Sequence, residues 1–140
     1  MSVKIRAYHS GKVLAISEAK RDQGAQLIQW DDLGTYEQRW DLIQSGDGNY
    51  VRIENVNSKL DLSISQGSTS TGANIIQWSY HGGDEQKFLI EGAEANLYRI
   101  KAKNSGKCLS VSQASRDSGA TVIQWDCHNA SEQLFSLEEV

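Results

Sequence analysis

One triplet occurs three times in this chain. Ile28-Gln29-Trp30 returns as Ile76-Gln77-Trp78 and again as Ile123-Gln124-Trp125, at intervals of 48 and 47 residues. Four other features keep the same register. Gly24-Ala25 returns at Gly72-Ala73 and Gly119-Ala120, and Glu37-Gln38 returns at Glu85-Gln86 and Glu132-Gln133. Leu14-x-Ile16-Ser17 matches Leu62-x-Ile64-Ser65 and Leu109-x-Val111-Ser112, and Ile5 matches Ile53 and Ile100. The 140 residues therefore form one domain's worth of chain, spanning 1–140, made of three copies at about 1–49, 50–96 and 97–140. A fold with internal threefold repetition is required, because one such unit cannot bury its apolar face alone.

Each copy reads as four short strands. Leu14 and Ile16 alternate with small residues, as do Leu62/Ile64 and Leu109/Val111, which is the period-two signal of a half-buried strand. Gly, Ser, Asn and Asp separate the runs and disfavour helix. The first copy places strands near residues 3–8, 13–17, 26–30 and 39–43, and three copies give twelve. Three blades fall short of the usual propeller. An all-β, pseudo-threefold β-trefoil fits instead: a closed barrel with hairpin caps. The absence of proline suits strands turned by Gly, Ser and Asn. A charge of -4 argues against a nucleic-acid partner, and no apolar stretch reaches the roughly 18 residues of a membrane span.

The combination of Gly-Lys-x-Leu-x-Val/Ile, Gly-Ala, an aromatic and Gln-x-Trp/Phe resembles the ricin B-type lectin repeat. Gln38-Arg39-Trp40 meets its Gln-x-Trp signature, and Gln86-Lys87-Phe88 and Gln133-Leu134-Phe135 are aromatic variants. The resemblance covers all three repeats. It implies a β-trefoil carbohydrate-binding module whose partners are glycans on oligosaccharides, glycoproteins or glycolipids. It also implies up to three shallow sites, hemagglutinating ability, and a galactose or N-acetylgalactosamine preference.

Trp30, Trp78 and Trp125 hold one repeat position, and the resemblance makes them platforms that stack on the C–H face of a sugar. Trp40 interchanges with Phe88 and Phe135, which points to the core. The glutamines Gln38, Gln86 and Gln133 tie backbone. Glu37, Glu85 and Glu132 precede them, where many relatives carry Asn that binds sugar hydroxyls. Galactose-binding relatives place Asp after the Leu or Val of the second strand, where this chain has Ala15, Ser63 and Ser110. Asp61, two residues before Ser63, is a candidate substitute, as is the Glu row. His81 and His128 follow the platforms by three residues, where repeat one has Leu33, and Tyr80 and Asn129 could extend those rims. In the family, the pair matching Cys108 and Cys127 is disulfide-bonded.

No H-E-x-x-H, G-x-S-x-G or phosphate-binding glycine loop occurs, so no enzyme, cofactor or metal site is expected. The competing class is a trefoil that docks proteins or inhibits proteases after losing its sugars. Met1-Ser2-Val3-Lys4-Ile5 runs straight into the first strand without a secretory leader. That start points to the cytosol, a trimmed secreted chain or non-classical export, whereas the cysteine pair points to an oxidising compartment. Localisation and oligomeric state stay open at this level.

Overall fold

The computed structural model describes residues 2–140. Its strands are β1 (Ser2–Ala7), β2 (Val13–Ile16), β3 (Leu27–Trp30), β4 (Trp40–Gln44), β5 (Val51–Asn55) and β6 (Asp61–Ile64). They continue with β7 (Ile75–Trp78), β8 (Phe88–Glu94), β9 (Leu97–Ala102), β10 (Cys108–Val111), β11 (Val122–Trp125) and β12 (Phe135–Glu139). The first-repeat strands fall within two residues of their expected positions. Ser17 leaves its strand because Glu18 and Ala19 turn left-handed, and Tyr8 leaves because Gly11 donates back to the Ala7 carbonyl.

Six strands close a ring by antiparallel pairing: β1 with β4, β4 with β5, β5 with β8, β8 with β9, β9 with β12, and β12 with β1. Closure leaves the barrel no free edge. The other six form hairpins β2–β3, β6–β7 and β10–β11, joined to the barrel through β1, β5 and β9. This all-β arrangement is a β-trefoil. No helix among the described residues is long and apolar enough to cross a membrane.

The core is the repeat pattern turned inward. Ile5, Ile53 and Ile100 are fully buried, as are Leu14, Leu62 and Leu109, then Leu27, Ile75 and Val122, then Trp40, Phe88 and Phe135. The Trp40 Nε1–H donates to the Leu14 carbonyl at 3.1 Å, so the one indole in this layer keeps its polar atom satisfied. The caps meet near the pseudo-threefold axis. There the Gln26 amide nitrogen lies 3.0, 3.0 and 3.3 Å from the repeat-related carbonyls of Leu27, Ile75 and Val122.

Candidate functional site

Each repeat builds the same open cleft between its cap hairpin and the loop that follows it. In repeat one the cleft holds about 410 Å³ and is lined by Ala15, Glu18, Ala19, Ile28, Trp30, Leu33 and Glu37. In repeat two it holds about 430 Å³, with Ser63, Gln66, Gly67, Ile76, Trp78, His81 and Glu85. In repeat three it holds about 390 Å³, with Ser110, Gln113, Ala114, Ile123, Trp125, His128 and Glu132. Strand register brings the floors together: Ala15 faces Ile28, Ser63 faces Ile76, and Ser110 faces Ile123. Leu14, Leu62 and Leu109 alternate with these floor residues and so point to the core.

The tryptophans end their strands 39, 41 and 43% exposed, in a molecule whose fourth tryptophan is fully buried. Their outer edges rest on the neighbouring repeat. A Cβ added to Gly119 would sit 3.5 Å from the Trp30 ring, one on Gly72 3.7 Å from Trp125, and one on Gly24 4.0 Å from Trp78. These glycines have φ near +90°, a conformation costly for any other residue. Each platform is therefore completed across a repeat boundary.

The acidic row lines all three clefts. Glu85 lies 3.0 Å from His81 Nε2 and Glu132 lies 3.3 Å from His128 Nε2. Glu37, facing Leu33 instead of a histidine, accepts from the Thr35 hydroxyl at 2.7 Å. Gly83 makes room for the His81–Glu85 pair, since a Cβ there would collide with Glu85 Oε1 and lie 2.6 Å from His81 Cε1. The rim loops are held from beneath by Gln38, Gln86 and Gln133, all fully buried. Their oxygens accept from the backbone N–H of Leu33, His81 and His128, and their nitrogens donate to the carbonyls of Asp31, Ser79 and Asp126.

Three residues expected at or beside the sites lie elsewhere. Asp61 is 0% exposed and lines none of the three clefts. Arg52 takes both its oxygens, Nε to Oδ2 at 2.8 Å and Nη2 to Oδ1 at 2.9 Å, while stacking over Tyr80 at 4.1 Å. These bonds to Asp61, chiefly, raise the Arg52 pKa above its ordinary value. Tyr80 is thereby part of a rim lock and not of a cleft wall. Asn129 is absent from the Trp125 cleft lining; Arg99 Nη2 donates to its Oδ1 at 2.9 Å, and it lines a separate surface hollow with Arg99 and Leu134. Of the carboxylates considered as substitutes for the family's Asp, only the Glu row reaches the clefts.

The rim lock differs in every repeat. Asp32 in repeat one pairs with Arg6 at 2.8 Å and Lys4 at 3.0 Å, and Arg6 first and then Lys4 hold its carboxyl below the usual range. Repeat two uses Asp61, Arg52 and Tyr80 at the related positions. In repeat three Cys108 and Cys127 form a disulfide.

The sequence pattern contains further site-building residues whose roles only the fold reveals. Gln29, Gln77 and Gln124, inside the repeated triplet, are fully buried and donate to carbonyls of the neighbouring repeat: Ser115 and Asp117, Lys20 and Asp22, Ser68 and Ser70. Their identity three times over was the available signal. The second group is the left-handed pair at Glu18-Ala19, Gln66-Gly67 and Gln113-Ala114, which walls each cleft. Non-glycine residues held at φ near +55° cost of order 1 kcal/mol each and gather at functional sites. His9, Asn57 and Asn104 brace these walls from the next repeat, through Ser115, Ala19 and Gly67 carbonyls respectively.

Comparison with known proteins bears on the family and the fold. A model of the ricin-type β-trefoil lectin domain matches residues 49–140, and a model described as ricin-type β-trefoil lectin domain-like matches residues 1–78. No curated protein matches significantly. Among solved structures, the designed threefold-symmetric protein ThreeFoil is 37% identical, with a TM-score of 0.97 over 99% of both chains. An exo-β-1,3-galactanase from Clostridium thermocellum is 31% identical, with a TM-score of 0.96 over 99% of this chain but 30% of the enzyme. The Macrolepiota procera ricin B-like lectin, solved in complex with lactose, is 18% identical, with a TM-score of 0.84 over 100% of this chain and 96% of that one. Matched over more than half its length by each family model, the chain belongs to the ricin-type β-trefoil lectin domain family and is a carbohydrate-binding lectin.

Proposed function

We propose that this single domain of three repeats is a multivalent, non-catalytic lectin for galactose- or N-acetylgalactosamine-type sugars, with one pyranose bound in each cleft. One observation carries the proposal: the same half-exposed tryptophan stands beside the same glutamate three times. The indole stacks on the apolar face of the sugar. Glu37, Glu85 or Glu132 accepts hydroxyl hydrogens, and a charged acceptor makes these bonds stronger than neutral ones. His81 and His128 add a second polar contact in repeats two and three. Asp61 and Asn129 have no part in sugar contact. The sugar type is supported by the lactose complex of one similar structure and the galactanase identity of another. Catalysis is not proposed, because hydrolysis needs one specific carboxylate pair and this row is repeated threefold.

Each site offers few atoms, so its affinity is weak, about millimolar to micromolar. Three sites give avidity on branched or surface-bound glycans, and with it hemagglutination. A glycan array probed with the protein and its W78A/W125A double variant tests the proposal. Binding to galactose-terminated glycans that weakens about a hundredfold in the variant, which is left with the Trp30 cleft alone, is the expected result. Folded protein without a single hit, or a variant that binds as before, contradicts it and favours a protein-docking or protease-inhibiting trefoil.

A further inference from the structure

Repeat one differs from its siblings beside the cleft. A second groove of about 450 Å³ is lined by Ala19, Gly34, Thr35, Tyr36, Glu37, Arg39 and Asn57. Ala19 and Glu37 also line the Trp30 cleft, so the two spaces share a wall. Tyr36 is 61% exposed, and the Arg39 guanidinium lies 5.1 Å from its ring centroid. Arg39 is itself anchored to the Gly34 carbonyl at 3.0 Å, and Asn57 to the Ala19 carbonyl at 3.2 Å. A fixed aromatic face with polar groups around it repeats the design of the Trp30 cleft.

The related positions cannot do this in the other repeats. Asp84 and Lys87 replace Tyr36 and Arg39 in repeat two, and Lys87 and Lys103 pair there with Asp84 and Asp47. Ser131 and Leu134 replace them in repeat three, with Leu134 buried. Repeat one also lacks a rim histidine and has Leu33, 59% exposed, in its place. Its surroundings thus carry a second aromatic ring and no imidazole, unlike those of the other clefts.

We propose that repeat one is a two-subsite groove for a neutral oligosaccharide. One sugar lies on Trp30, and the next residue of the same glycan lies over Tyr36, with Glu37 at the junction between them. This rests on the sugar reading of the Trp30 cleft. Repeats two and three take a single terminal sugar. Sites of this combined size are ordinary for small ligands, whose polar groups are fixed by a few side chains around an aromatic floor.

The test titrates galactose, β-1,3-galactobiose and β-1,3-galactotriose against the assigned indole N–H resonances of the protein and of Y36A. From galactose to galactobiose, the affinity reported by Trp30 should rise about fivefold, the worth of one aromatic stacking contact. The Trp78 and Trp125 responses should change by no more than about twofold, the span of a statistical gain. Y36A, altered at a solvent-exposed ring, should remove the gain at Trp30 and leave galactose binding there intact. Equal chain-length dependence at all three tryptophans, or a gain that survives Y36A, overturns the groove alone. Silence of all three with every sugar overturns the galactose-type reading and the groove with it.

Discussion

At the scale of the residue, one amino-acid type serves opposite ends. Trp40 donates its indole N–H inward and is sealed in the core, while Trp30, Trp78 and Trp125 stand half-exposed at strand ends. W78A or W125A should therefore weaken glycan binding at its own cleft by at least about tenfold while costing less thermal stability than truncation of the fully buried Trp40, because about two-fifths of each platform residue already meets solvent. Calorimetric titration beside a melting curve checks both halves. The buried glutamines behave oppositely. Q77A strips the Lys20 and Asp22 carbonyls of their donor and the Ser58 hydroxyl of its acceptor. Leaving such groups unpaired should cost about 2 kcal/mol in urea unfolding. The distinction between Trp40 and the platforms was legible in sequence, because Phe88 and Phe135 replace Trp40 while nothing replaces the others. The fate of Asp61 was not legible. Its partner Arg52 is set by the pairing of β5 with β6, and no pattern along the chain announces that Arg52 will take both carboxylate oxygens.

At the scale of the element, twelve strands and their repeat register follow from alternation and spacing, and the hairpins were readable for the same reason. The connections were not. The left-handed pairs that wall the clefts include Glu, Gln and Ala, residues that carry no turn signature, and they are held by partners one repeat away. The rim locks make separate predictions. Loss of the Cys108–Cys127 bridge, whose ends are 19 residues apart, should lower stability by about 3 kcal/mol on the chain-entropy model. Urea unfolding of C108S/C127S measures it. Arg6 is different, for it joins β1 to Glu138 on β12 and to Asp32 on the rim. Its hydrogen bonds hold both carboxyls below their usual range. Carboxyls with folded pKa values below the unfolded ones contribute stability above the ordinary carboxylate pKa and lose it as pH falls through the lowered values. R6A should therefore be less stable than the parent near neutrality, and the two should converge in acid. Thermal midpoints across pH 2 to about 7 check this, and a constant gap at every pH would contradict it.

At the scale of the whole molecule, the barrel closes only when all three repeats are present, and so do the clefts. Every platform edge rests on a neighbour's glycine, and every triplet glutamine binds a neighbour's loop. Sites and fold should consequently unfold together, while the sites bind independently. Multivalency predicts that W78A/W125A, with one cleft left, loses about a hundredfold in apparent affinity for a dense immobilised glycan. Its affinity for free disaccharide at Trp30 should stay unchanged, and surface plasmon resonance separates the two. The central claim is that three repeat-related tryptophans, and not the fourth, form the stacking platforms of sugar sites. Titrating lactose into the protein while following its four indole N–H resonances addresses that claim without any mutation. The signals of Trp30, Trp78 and Trp125 should move saturably in the millimolar range while that of Trp40, bonded to the Leu14 carbonyl, stays fixed. Four unmoved signals, or a shift confined to Trp40, would contradict the account.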